Sequence, residues 1–140
     1  MAKIILGKPP ESFQRTLAFL QVDGSPGSMG VTYIYRTRTE FGAFTDGLIE
    51  QGRAAAAAEM DKLADLAKQG QPIPELTQSE ILAREAKANV GYVMSCIKGW
   101  DLDVPFDLAA VMQLADEVPA AIHSICDNYR AAIVEGRQGN

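Results

Sequence analysis

Few side chains in this sequence are placed to do covalent chemistry. The single histidine, His123, has one acid at helical spacing, Asp127 four residues on. A carboxylate there could orient an imidazole as a base. No serine or cysteine nucleophile motif accompanies the pair, so a solvent-facing histidine is the expectation. Asp101 and Asp103 alternate with Leu102 and resemble a fragment of a calcium loop, but the remaining ligands and the central glycine of such a loop are absent. Cys96 and Cys126 lie in apolar helical patterns without a metal-ligand neighbour at short spacing. They read as reduced thiols, with one disulfide as the alternative. Asp23-Gly24-Ser25-Pro26-Gly27 is glycine-rich, yet it joins two strand-like runs, whereas a phosphate cradle needs an adjoining helix N-terminus. The expectation is a protein that is not an enzyme and takes no metal or cofactor.

Recognition chemistry is better represented. Trp100 is the only tryptophan and is followed by Phe106 across an acidic, proline-containing turn. Large aromatics at a corner between helices wedge them together as core, and they also serve as partner hot spots. The core role is preferred, which predicts a largely buried Trp100. Arg36 and Arg38, with Lys3 and Lys8, make the N-terminal part mildly basic, as in a nucleic-acid-reading ribbon. The net charge of −5 and pI near 4.8 oppose that reading, since an acidic surface repels phosphate backbones and anionic lipid alike. Trp100, Phe106, Arg36 and Arg38 therefore stand as candidate contacts to a protein partner. No run approaches the roughly 18 apolar residues of a membrane span. The short apolar start, Met1 to Leu6, lacks the longer core and cleavage pattern of a signal peptide. The expected place is the cytoplasm, with no nucleic acid or membrane as partner.

The elements that must carry these residues follow from periodicity. With 47% apolar and 22% charged residues, the 140-residue chain can bury a core as a single domain. Phe13 to Val22 and Gly30 to Thr39 are β-rich runs around a turn-forming stretch, Asp23 to Met29, and so predict a hairpin. A strand over Lys3 to Leu6 is a candidate third member. Lys8-Pro9-Pro10 should be extended. From Thr39, a candidate N-cap, Phe41, Phe44, Leu48, Leu63 and Leu66 fall on one helical stripe, and Ala54 to Ala58 favours a surface helix. Gly47 and Gly52 predict a bend or fraying within it. Gly70, Pro72 and Pro74 then make a linker.

Thr77 to Glu80 has the form of a capping box opening a second helix to about Ile97, with Leu82, Ala86, Val90, Val93 and Ile97 inward and Gly99 as its stop. Asp107 caps a third helix to about Asp116, with Leu108, Val111, Met112 and Ala115 inward. Pro119 opens a fourth, with Ile122, Ile125, Cys126, Tyr129 and Ile133 on one face and Gly136 at its end. The fold class is α+β: residues 1–39 form the hairpin part, 40–136 the helical part of about four helices, and 137–140 a mobile tail.

Two stretches carry a family resemblance. Gly30-Val31-Thr32-Tyr33-Ile34-Tyr35-Arg36-Thr37-Arg38-Thr39-Glu40-Phe41 resembles the second hairpin strand and first helix of the tail assembly chaperones of long-tailed bacteriophages. Ile97-Lys98-Gly99-Trp100-Asp101-Leu102-Asp103-Val104-Pro105-Phe106-Asp107 resembles that family's tryptophan corner, and Leu108 to Tyr129 is similar to the family's helices beyond the corner. The alanine-rich stretch from Gly42 to Gly70 departs from the pattern. The resemblance implies a non-enzymatic protein of the host bacterial cytoplasm, left out of the mature virion. It implies binding to the tape measure protein, keeping it soluble, recruitment of tail tube protein, and self-association. In many relatives a ribosomal frameshift adds an extension, with which the tail at 137–140 is compatible. A competing reading is a small adaptor or regulatory module of phage or prophage origin that binds one folded partner.

Overall fold

The computed structural model describes residues 2–137. The elements run β1 (Ser12–Leu20), β2 (Pro26–Ile34), α1 (Arg38–Lys68), α2 (Gln78–Cys96), β3 (Ile97–Trp100), α3 (Leu108–Glu117) and α4 (Pro119–Arg130), and a π-helical turn, Ala131–Glu135, continues α4. The three strands form one antiparallel sheet in the order β1-β2-β3, so the α+β class holds. Alternation sets its two faces: Leu17, Met29, Val31 and Tyr33 are buried under the helices, while Gln14, Thr16 and Ala18 face out.

The hairpin turn is tighter than the composition suggests. β2 starts at Pro26, because the Asp23 carboxylate accepts the Ser25 amide (2.9 Å) and the Gln21 amide donates to the Ser25 carbonyl (2.9 Å), so the chain reverses within Gln21 to Ser25. β1 consequently ends at Leu20 and β2 starts at Pro26, while β2 stops at Ile34, short of the expected Thr39.

The third strand is also not the expected one. Lys3 to Leu6 pairs with no strand among the described residues. The partner of β2 is Ile97–Trp100, registered Val31 with Trp100, Thr32 with Gly99 and Tyr33 with Ile97. Pro9 and Pro10 precede β1 and bring no backbone donors, whereas the chain leaving α2 arrives beside β2 with Ile97 already in the core. Gly99 is therefore a strand residue rather than a helix stop. The loop beyond is stitched on: the Asp101 amide donates to the Gly30 carbonyl (3.1 Å), and the Gly30 amide donates to the Asp101 carboxylate (2.8 Å). A Cβ on residue 30 would lie 2.8 Å from that carboxylate, so glycine permits the approach.

Helix α1 is capped two residues earlier than expected. Thr37 caps it with a complete box: its hydroxyl accepts the Glu40 amide (3.1 Å), and Glu40 accepts the Thr37 amide (2.9 Å). These bonds hold the Glu40 carboxyl below its usual range. Despite Gly47 and Gly52, α1 runs unbroken for 31 residues. Phe41 is buried and Phe44 half-buried, but Ala54 to Ala58 are exposed, and Arg84 of α2 pairs with Glu59 beyond them. Thr77 caps α2 through its hydroxyl, which accepts the Glu80 amide (3.2 Å), half of the expected box; Asp107 caps α3 as expected, and Pro119 stands in the first turn of α4. Gly136 closes the π-helical turn at φ +68°, a left-handed conformation that favours glycine. Arg137 pairs with Glu135 (2.5 Å), and residues 138–140 of the expected tail lie outside the described residues.

The capping geometry makes a direct prediction. Thr37→Ala should lower unfolding free energy by about 1 kcal/mol, whereas Thr39→Ala should leave it nearly unchanged. Urea denaturation of the two variants checks this.

Candidate functional site

The sequence-marked residues fall into two separate clusters. At the corner after β3, Trp100 and Phe106 meet edge to face, with centroids 5.2 Å apart and planes at 80°. The Trp100 indole donates to the Val104 carbonyl (2.8 Å). Both rings are partly buried and pack against the core, in keeping with the wedge expected of Trp100.

Arg36 lies elsewhere. It donates to the Tyr129 hydroxyl (3.0 Å) and stacks its guanidinium 4.2 Å from the Phe44 ring centroid. That pairing is internal architecture. Arg38, in the first turn of α1, is exposed.

The Asp101 carboxylate is occupied by the Gly30 amide, and among the described residues no group of three or more His, Cys, Asp or Glu could hold a metal ion. His123 and Asp127 are both exposed on α4, and no hydrogen bond between them occurs among the described residues. Cys96 and Cys126 are free thiols. Burial pushes the Cys96 thiol well above its ordinary value and the Cys126 thiol up to about 12, the latter helped by the neighbouring Asp127 charge.

The site that periodicity did not single out is an apolar groove. Along α2, Leu82, Ala86 and Val90 recur at intervals of four and share one face. Across from them α3 presents Leu108, Met112 and Ala115, and Pro119 and His123 of α4 complete the end. Together they wall a space of about 1060 Å³. Leu82, Leu108 and Met112 are 55%, 54% and 55% exposed, so the expectation that these three point into the core is corrected. Within their helices they do lie on the apolar side, but the body fills only the deeper part of it. Val90 (6%) and Val111 (0%) reach the core, and the residues a turn away rise above it.

Charge is sparse along the rim: Glu85 and Asp116 against Lys87, with Asn89 and Gln113 between. Such a surface suits an apolar helix face or an extended apolar segment. A smaller space of about 340 Å³ beside the sheet is lined by Gln14, Arg15, Thr16, Trp100 and Asp101, and its one apolar wall is the indole and Val31. No helix of the described residues is long and apolar enough to cross a membrane.

Comparison with known proteins adds one finding. A family model described as phage tail assembly chaperone matches residues 1–140. No curated protein and no solved structure matches the chain significantly.

The thiols test the packing behind the groove. With its pKa near 12 against an ordinary 9.0, Cys126 is ionised in roughly one molecule in ten thousand at pH 8. Native protein should therefore resist a thiol-disulfide reagent at pH 8, and denatured protein should titrate both cysteines at once. A rapid stoichiometric reaction of either thiol in the native state would contradict this packing.

Proposed function

The chain belongs to the phage tail assembly chaperone family, and from that premise we propose that it binds the tape measure protein and keeps it soluble until tail tube subunits assemble around it. The observation that carries the reading is the groove walled by Leu82, Leu108 and Met112. A tape measure protein is a long amphipathic helix that lacks its lifelong neighbour until the tube closes. Its apolar stripe is an aggregation hazard in that interval.

The wall from Leu82 to Val90 rises about 12 Å, or roughly two helical turns. A client helix laid against it buries its own apolar side chains together with the half-exposed leucines and methionine. With few charges on the rim, the groove would recognise amphipathic character more than a particular sequence. Each contact is small, so a long client takes many copies, and the coating gains strength from their number. The same weakness lets polymerising tube protein displace the chaperone. The net charge of −5 keeps the coated client dispersed.

The action makes and breaks no covalent bond, and its place is the host cytoplasm, before the virion is complete. The Trp100–Phe106 corner and, separately, the exposed Arg38 are proposed as further contacts to tube subunits or client, while Arg36 holds Tyr129 inside the body.

Co-expression tests the proposal. The soluble fraction of a tape measure protein should rise several-fold with the wild-type chain. It should return to the unassisted level with Leu82→Asp combined with Met112→Asp, while circular dichroism of that variant stays native because both side chains are already half exposed. Unchanged client solubility with the wild-type chain would contradict the proposal. A complex with one folded partner in fixed one-to-one ratio would favour the adaptor reading instead.

A further inference from the structure

We propose that residues 3–8 dock in the α2–α3–α4 groove of a second copy of this chain, so that two free molecules cover each other's grooves by exchanging N-terminal arms. The proposal rests on the groove being the client site and supplies its occupant in the resting state.

The arm is the most conspicuous unpartnered apolar segment of the described residues. Ile4, Ile5 and Leu6 are 89%, 66% and 91% exposed, consecutive, and outside any strand or helix. Three large aliphatic side chains in a row, standing in water, cost solvation free energy that a partner surface would recover. Among the described residues, nothing in the arm's own chain takes them up. Lys8-Pro9-Pro10 leads straight into β1, whose first residue pairs with Ile34 at the sheet's far end. The groove belongs to the helices.

Size and charge match the two surfaces. Ile4 to Leu6 spans about 7 Å, and the chain then turns at Leu6-Gly7, where Gly7 has φ +82°. The α2 wall of the groove spans about 12 Å. The three aliphatic side chains fit within the wall, with Lys3 just before them and Lys8 past the turn that follows. The arm carries Lys3 and Lys8 and no acid before Glu11. The groove presents Glu85 and Asp116 against the single Lys87. A basic-ended apolar strip is thus complementary to an apolar trough with a net acidic rim. Reciprocal exchange gives two identical contacts about a two-fold axis and closes the assembly at two copies. A client helix competes with the arm for the same wall, so client binding releases the arm and opens the dimer.

Sedimentation of the full chain, with a cross-link to identify the contact, tests this. The wild-type chain should be dimeric at tens of micromolar and dissociate on dilution. Ile4→Asp combined with Leu6→Asp should be monomeric at the same concentration, as should Met112→Asp, all with native circular dichroism. A chain carrying Ile5→Cys mixed with one carrying Met112→Cys should form a disulfide of dimer mass under mild oxidation. A wild-type chain monomeric throughout, or an arm variant still dimeric, would overturn the proposal. So would a chain carrying both cysteines that links only at monomer mass, which would place the arm on its own groove. The arm variant should still solubilise client, so failure of the exchange is distinguishable from failure of the chaperone function.

Discussion

The structure depends on how one phenol is satisfied. The Tyr129 ring is fully buried, and its hydroxyl has one proton to give and one acceptor position to fill. It donates to the Ile34 carbonyl (2.8 Å) at the end of β2 and accepts from Arg36 (3.0 Å) two residues on. Burial pushes this phenol's pKa up, opposed by Arg36, so it stays protonated and able to donate. Around it pack Phe13, Tyr33, Phe41, Phe44 and Tyr92, each with a centroid 5.0–6.5 Å away. Those rings come from β1, β2, α1 and α2, so one side chain of α4 fixes the sheet, the exit from β2 and the start of the long helix together. A second bond, from the buried Tyr33 hydroxyl to the Ile125 carbonyl (2.7 Å), pins α4 along β2. A buried polar group left without its partner costs about 1–3 kcal/mol, so the two tyrosines enforce one arrangement of helix on sheet.

With α4 held in this way, the remaining architecture is set by how much apolar surface the body can cover. Val93, Cys96 and Ile97 reach the core at the C-terminal end of α2, and Val111 does so from α3. Further along α2 and along the upper edge of α3, the same stripes continue past the body. The groove is where two apolar stripes outrun their shared core. The distal part of α1 behaves alike: Ile49 and Met60 are exposed along a helix that the body contacts mainly through Phe41 and Phe44. On the proposed function, this uncovered surface is what a client's apolar face would meet, and the acidic charge keeps the protein dispersed meanwhile.

Local physics was legible in the residues. The hairpin, the Thr77 and Asp107 caps, Pro119 in a first helical turn and Gly136 after the last one each rest on side chains within a few positions of each other. The Thr37–Glu40 box was equally present, but reading the second strand through to Thr39 hid it. What could not be read was non-local. Ile97 to Trp100 is four residues long and directly follows a helix, and only its pairing with β2, over sixty residues earlier, makes it a strand. The groove failed for a related reason. Periodicity shows that Leu82, Leu108 and Met112 share the apolar side of their helices, but not whether a neighbour stands opposite. Arg36, marked as a partner contact, is spent on an internal phenol that its own neighbourhood in sequence does not contain.

The central claim is that the helical groove, and not the outer face of the sheet, receives the client. Site-specific photo-cross-linking during co-expression with a tape measure protein tests it most directly. A photoreactive residue placed at Met112, in the groove wall, is predicted to form an adduct with the client, and one placed at Thr16, on the sheet's outer face, is predicted to form none. Adducts from Thr16 with none from Met112 would contradict the account.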